Sequence, residues 1–254
     1  MGTEIPDAAV RGYARAPVAY ELGRPTYPPL ALECLVRELE LGPGRVVLDL
    51  GAGTGKLTAL LAAFGATVLA AEPVVEMREA LERNVPSANA FASTAESIGL
   101  AAASVDAVTV GQAFHWFHGD EALAEIHRVL RPGGRLGLVW NFRDETVPWV
   151  AELTRIMEPH RGDAPRAASG AWREAFERTT LFEPLETATF RHVHRLAADG
   201  VVARVASVSF IAALPESDRA QVLAEVRELV GAEAVDLPYV TDLYWTRRRA
   251  GARP

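Results

Sequence analysis

The sequence predicts an α/β fold, a doubly wound sheet of parallel strands with helices on its faces. Three observations predict it. From about residue 29 to 142, short apolar runs alternate with stretches of helical length and spacing, the rhythm of βαβ units. The run VVLDL at 46–50 opens directly into Gly51, Gly53 and Gly55, which let a chain turn sharply from a strand into a helix. The next run, ATVLAAE, ends on an acid, Glu72.

Taken in order, PPLALECLVREL has apolar residues at helical spacing behind a Pro-Pro start, where proline is tolerated. RVVLDLG reads as a buried parallel strand, because strands covered on both faces are continuous apolar runs. LTALLAAFG is a helix stopped by Gly65, ATVLAAE the second strand and VVEMREALERN the second core helix. ANAFAST is a weak third strand, VDAVTVGQAF a fourth, and GDEALAEIHRVLRPGG a helix with a Pro-Gly-Gly stop. RLGLVWN is the fifth strand.

After Asn141 the rhythm changes. Residues 143–180 read as helix and loop, LETATFRHVHRL alternates like a strand, and 199–230 read as two helices split at Leu214-Pro215-Glu216. VDLPYVTDLYWTRR alternates again. There is no internal repeat and no low-complexity linker, so a single domain over 1–254 is expected.

The chain is 49% hydrophobic with a net charge of −7, which gives no general pull toward nucleic acid. Lys56 is the only lysine, and Arg247–Arg249 reads as a solvated tail. One cysteine, Cys34, excludes an internal disulfide and fits a reducing compartment. The first residues lack a basic segment followed by an apolar run, and no stretch offers the roughly 20 apolar residues of a membrane span. A cytoplasmic, soluble protein with no membrane partner is expected.

Ligands of open parallel sheets bind beyond the carboxyl ends of the strands, so the glycine loop is the place to look. The phosphate-cradling G-x-x-x-x-G-K-[ST] pattern fails: Leu50 stands at its first glycine and Leu57 at its hydroxyl residue. The dinucleotide pattern G-x-G-x-x-G meets Lys56 where its last glycine belongs, which disfavours a nicotinamide or flavin site. What remains is D-x-G-x-G-x-G, Asp49 to Gly55. With Glu72 ending the next strand, a nucleoside without a diphosphate fits, its ribose hydroxyls on the carboxylate and the rest against main-chain N–H groups. Glycine-rich turns also form without any ligand, and Glu72 also fits as a surface acid before Pro73.

At this point the sequence resembles the class I S-adenosylmethionine (SAM) dependent methyltransferases. VVLDLGAGTGKLT resembles their first motif, VLAAEPVVEM their second, STAESI the loop after strand 3, and RVLRPGGRLGLVW the segment around strand 5. YELGRPTYP, GQAFHWFH and WNFRDETVPWV resemble a bacterial methyltransferase type 11-like group with Y-x-x-G-R-P-x-Y-P and Q-A-F-H-W motifs, as do SFIAALPESDRAQVLAEV and LPYVTDLYW. The resemblance covers nearly the whole chain. It implies a mostly parallel, seven-stranded Rossmann-like sheet. The chain would then divide into an N-terminal lid (1–28), a SAM-binding core (29–142), a substrate-side helical insertion including strand 6 (143–230), and the last strand and tail (231–254).

The resemblance also implies roles. Gly51, Ala52, Gly53, Thr54 and Gly55 would line the methionine part of SAM, with Asp49 near its amino group. Glu72, followed by Pro73, would hold the ribose, and Met77 would pack on the adenine, although its spacing with Leu81 also suits a core position. Thr94 and Ala95 would read the adenine edge; the group often has Asp where Thr94 stands. Gln112 and Ala113 would border the sulfonium. Tyr20 and Arg24 belong to the lid, and the Arg24 guanidinium would clamp the SAM carboxylate, or else cap a carbonyl.

Methyl transfer from a sulfonium needs alignment and exclusion of water above all. His115, just past strand 4, is the best-placed candidate for a general base, with an orienting role as the alternative. Trp116 and Trp140, with Phe117 and Trp149, are expected at the mouths of strands 4 and 5, where aromatics wall a substrate pocket, with the alternative that two of the four simply close the core. His192 and His194 alternate on one strand face without acids at metal spacing, so no metal is expected. A small-molecule acceptor is favoured over RNA, DNA or protein, because [DN]-P-P-[YF] is absent after strand 4 and there is no basic stripe. A SAM-binding protein without methyl transfer stays open.

Overall fold

The computed structural model describes residues 24–162 and 165–251. Tyr20 and nearly all of the predicted lid lie outside them. The described residues fall into two compact units. One takes Tyr27–Trp140, Pro165–Phe190 and the chain from Thr241 on; the other takes the described residues before Tyr27, the segment from Asn141, and Arg191–Val240.

The first unit follows the predicted alternation. Helix α1 (Pro29–Glu38) begins behind an extended Pro28 and buries Ala31, Leu32, Cys34 and Leu35. Then come β1 (Val46–Leu50), α2 (Lys56–Ala63), β2 (Thr67–Ala71), α3 (Val75–Asn84), β3 (Asn89–Phe91) and β4 (Val105–Gly111). A 3-10 turn, Phe114–Trp116, precedes α4 (Gly119–Val129). Strand β5 (Leu130–Arg143) follows at once. Pairing is parallel and in register from β3 through β2, β1 and β4 to β5, with one irregularity between Val105 and Ala107. The core of this unit joins Leu32, Leu35 and Leu39 of the first helical segment to Val47, Leu57, Leu61, Val68, Val139 and Leu243.

Three strand boundaries differ from expectation. The third strand ends at Phe91, not Thr94. The fourth strand stops at Gly111, because Gln112 has φ +60 and leaves the extended region. The fifth strand starts at Leu130, not Arg135, since Arg131-Pro132-Gly133-Gly134 runs on as strand instead of ending the helix. The Gly134 carbonyl accepts the N–H of Arg248, a pairing that a helix-stop reading does not supply.

The remaining elements are α5 (Pro148–Met157), α6 (Arg173–Arg178), β6 (Glu186–Leu196), α7 (Ala198–Ala206), α8 (Ser209–Ala212), α9 (Glu216–Val230) and β7 (Val235–Arg247). The sheet has seven strands in the order β3-β2-β1-β4-β5-β7-β6. β7 runs antiparallel to β5: Asp144, just past β5, donates to Pro238 near the start of β7, while Arg248, just past β7, donates to Gly134 near the start of β5. Hence the sheet is mostly parallel, as the resemblance implies, and the structure adds an antiparallel reversal at one side. The second unit has its own core, in which Val150, Leu153 and Met157 of α5 meet Val201, Val205, Val222, Val226, Leu237 and Tyr239.

Candidate active site

The glycine loop leaves β1 and returns into α2. Gly51, Gly53 and Gly55 all have positive φ (+71, +58 and +88), a region that side chains with a Cβ resist. Their surroundings differ. A Cβ on Gly51 would stand 2.9 Å from the Ala113 Cβ, and one on Gly55 would stand 3.0 Å from Val85 Cγ2. A Cβ on Gly53 would meet nothing within 4 Å. Gly51 and Gly55 therefore serve close packing, and Gly53 alone presents bare backbone to open space.

The main-chain donors of the loop are mostly engaged within the protein. Gly51 and Ala52 both donate to the Ala71 carbonyl, and Gly55 donates to Ala52. Gly53 donates to Glu72 Oε2 at 2.8 Å, while Glu72 Oε1 accepts the Val74 N–H at 2.9 Å. The expectation that a ligand rests on a row of available N–H groups is thus corrected. What the loop leaves open is the space over Gly53, and the polar group beside it is the Glu72 carboxylate. Glu72 is 6% exposed. Burial raises its pKa, opposed by the Val74 and Gly53 N–H groups and by the charge of Arg78, whose Nη1 donates to the Glu72 carbonyl.

Asp49 is completely buried. Its Oδ2 accepts the Thr58 hydroxyl at 2.6 Å and its Oδ1 the Thr109 hydroxyl at 3.1 Å. Burial pushes its pKa up to about 6, with the two hydroxyls pulling the other way. Asp49 thereby ties β1 to α2 and β4, beneath the loop. Sequence reasoning missed Thr58 and Thr109; the available signal was an acid inside an apolar strand, which needs polar partners when buried.

Thr94 and Ala95 lie in the loop after β3, where Thr94 bridges to Ser97 and its carbonyl accepts the Ser93 hydroxyl. Ala95 is buried. Neighbouring Glu96 accepts the His118 N–H at 3.0 Å, which ties this loop to the one after β4. There Gln112 is a non-glycine residue at φ +60 whose N–H donates to Val139, and Ala113 packs toward Gly51. Strained backbone of this kind costs of order 1–3 kcal/mol and clusters where function fixes a conformation. The parallel order β3-β2-β1-β4 thus brings the loops carrying Gly51–Gly55, Glu72, Pro73, Thr94, Ala95, Gln112 and Ala113 to one edge, with Asp49 at the end of β1 beneath them. Met77 sits buried on α3, a core position whose side chain presents almost no surface.

Two aromatic assignments change. Trp140 is fully buried, 4.5 Å from the Trp172 ring and 5.9 Å from Tyr244, so it closes a core and offers no wall to a pocket. Trp149 packs against the core of the second unit, so the cluster around Trp140 takes Trp172 and Tyr244 in its place. Trp116 is half-buried and lies 5.3 Å from the His115 ring. The Trp140 indole N–H donates to His115 Nδ1 at 3.3 Å. In the second unit, Arg24 Nη2 donates to the Ser207 carbonyl at 3.3 Å, the carbonyl-capping geometry, at the end of α7 where the helix dipole favours a cation. His192 stacks on Tyr239 at 5.5 Å.

A methyltransferase domain family matches residues 48–138, from the middle of β1 into β5. An uncharacterized methyltransferase of Mycobacterium tuberculosis is 42% identical over 88% of this chain and 90% of its own. The chain belongs to the methyltransferase family. An uncharacterized methyltransferase-like protein of Schizosaccharomyces pombe is 38% identical over 83% of this methyltransferase and 82% of its own length. Among solved structures, a protein of Anaeromyxobacter dehalogenans superposes with a TM-score of 0.60 at 26% identity, over 89% of this chain and 97% of that one. The fold is also shared, at 14% identity and a TM-score of 0.60, with a Haemonchus contortus N-methyltransferase solved with phosphomonomethylethanolamine and S-adenosylhomocysteine, over 97% of this chain and 60% of that one.

Proposed function

We propose that this methyltransferase uses SAM and moves its methyl group to a small-molecule acceptor. The observation that carries the reading is the meeting of Gly53 and Glu72 at 2.8 Å, beside the one loop glycine with open space over it. The residues fit the cofactor. A buried carboxylate next to bare backbone suits a ribose, while Asp49, already holding two hydroxyls, acts beneath the loop and not on the ligand. The Haemonchus protein, of the same fold, binds S-adenosylhomocysteine.

When bound, SAM supplies a methyl group on a positively charged sulfur with a neutral leaving group. The chain's task is then to align the acceptor and exclude water. Glu72 grips the sugar, the Gly51–Ala113 packing fixes the loops after β1 and β4 against each other, and Gln112 and Ala113 border the reacting end. His115 serves as an orienting residue. With Nδ1 accepting the Trp140 N–H, the neutral ring carries its proton on Nε2, and the lone pair that a base would use is already engaged.

A small acceptor is supported by the net charge of −7, which opposes binding to nucleic acid. Among the described residues no helix is long and apolar enough to cross a membrane, in line with a cytoplasmic enzyme. The test is calorimetry with S-adenosylhomocysteine, followed by mass spectrometry of a metabolite extract incubated with methyl-labelled SAM. Micromolar binding and a labelled small product are expected; absence of binding ends the proposal.

A further inference from the structure

The parallel ladder between β4 and β5 is interrupted at its start. β4 advances two residues, from Val105 to Ala107, while the partners on β5 run from Leu130 to Arg135. Residues 131–134 therefore bulge out at the amino ends of these strands. Gly134 permits the bulge: a Cβ there would stand 2.9 Å from the Arg131 carbonyl oxygen and 3.0 Å from that of Asp106. The bulge walls a cleft of about 200 Å³, against the roughly 10–15 Å³ that one water requires.

Four arginines line this cleft, Arg45, Arg131, Arg135 and Arg247, against two carboxylates, Glu40 and Asp106. Asp106 accepts Arg131 Nη1 at 2.8 Å and Arg45 Nη1 at 3.4 Å, and is itself fixed by the Val46 N–H at 2.8 Å. Glu40 accepts Arg45 Nη2 at 2.8 Å and also pairs with Arg135. One carboxylate thus joins Arg45 to Arg131, and the other joins Arg45 to Arg135. Among the described residues Arg131 engages a single nitrogen of its guanidinium, which carries five N–H donors. Arg247, expected in a solvated tail, is instead the last residue of β7, and its side chain makes no hydrogen bond or ion pair with the described residues. A concave wall concentrates the field of like charges, and a planar guanidinium is matched to oxyanions. Side chains already held by shared carboxylates lose less freedom when a ligand arrives. The net charge of −7 opposes an extended polyanion, so the occupant is small.

We propose that Arg45, Arg131, Arg135 and Arg247 form a binding site for a small oxyanion, the phosphate or carboxylate group of a metabolite. All four belong to the first unit. The cleft lies at the amino ends of strands whose carboxyl ends carry the candidate active site, about 16 Å away along the five residues of β1, and the proposal does not rest on the cofactor reading. The test is thermal unfolding of the full chain in low-salt buffer, titrated with inorganic phosphate, with succinate, and with sodium chloride at matched ionic strength. The same titrations are run on Arg247→Gln and on Arg155→Gln, an arginine of the second unit paired with Glu152. At ten times its dissociation constant, phosphate or succinate is expected to raise the wild-type Tm by about 4 °C beyond chloride, and the more effective anion identifies the group. Arg247→Gln should keep the wild-type Tm without anion, because its side chain ties nothing together, and should weaken the anion's affinity about tenfold. Arg155→Gln should leave that affinity unchanged. Phosphate and succinate acting no better than chloride on the wild type would overturn the site, and that arm needs no variant to fold. An affinity undiminished in Arg247→Gln, or lowered equally in Arg155→Gln, would overturn it too, by assigning the effect to another site or to diffuse charge.

Discussion

The backbone N–H of Gly53 donates to Glu72 Oε2 across 2.8 Å, so the turn after β1 and the acid closing β2 are joined before any ligand arrives. Glu72→Ala is expected to weaken S-adenosylhomocysteine binding by about 1.5–3 kcal/mol, the scale of hydrogen bonds to a charged group. Titration calorimetry reads it directly, and unchanged affinity would remove the ribose role.

Two glycines of the same loop should separate stability from binding. Gly51→Ala combines φ +71 with a 2.9 Å approach to Ala113, so it should cost about 2–4 kcal/mol of stability. Gly53→Ala meets no neighbour within 4 Å and should cost only about 1–2 kcal/mol from its backbone conformation, while impairing cofactor affinity. Urea unfolding paired with calorimetry distinguishes the two. The reverse ranking in stability would show that the loop packs differently.

Asp49 predicts a pH dependence of stability. Its folded-state pKa, about 6, lies above the ordinary 3.8 because burial disfavours the charge. The folded protein therefore holds this proton more tightly than the unfolded chain. Its contribution is fully present below about pH 4 and is lost as pH rises through about 6, a difference of about 3 kcal/mol. Asp49→Asn should remove that component. Denaturant unfolding from pH 4 to 7.5 checks it; parallel profiles for the two proteins would refute the assignment.

His115 should leave no signature as a base. With its Nδ1 held by Trp140, kcat for an acceptor that must lose a proton, and whose own pKa lies outside the range measured, should show no limb in the imidazole range that His115→Gln abolishes. The variant should lower kcat by about tenfold or less through misorientation. Loss of such a limb in the variant would restore the general-base role.

Much of the first unit was legible in the sequence because its signals are local. Parallel strands buried on both faces read as continuous apolar runs, and Gly51, Gly53 and Gly55 mark a turn wherever they occur. Glu72 was visible as the acid that closes such a run. Residues whose meaning depends on distant partners were not visible. Thr109 lies 60 positions from the Asp49 carboxylate it satisfies. Trp149 and Trp172 are equally aromatic, yet only Trp172 stands against Trp140.

The sequence by itself determined the α/β alternation, the glycine turn and the acid beyond it, since each depends on residues a few positions apart. Only the tertiary structure decided that most loop N–H groups are engaged internally, that Trp140 is core, and that the His115 lone pair faces an indole. Those outcomes come from packing and hydrogen bonding between segments far apart in the chain, where which groups meet is set by the whole fold and not by the local pattern.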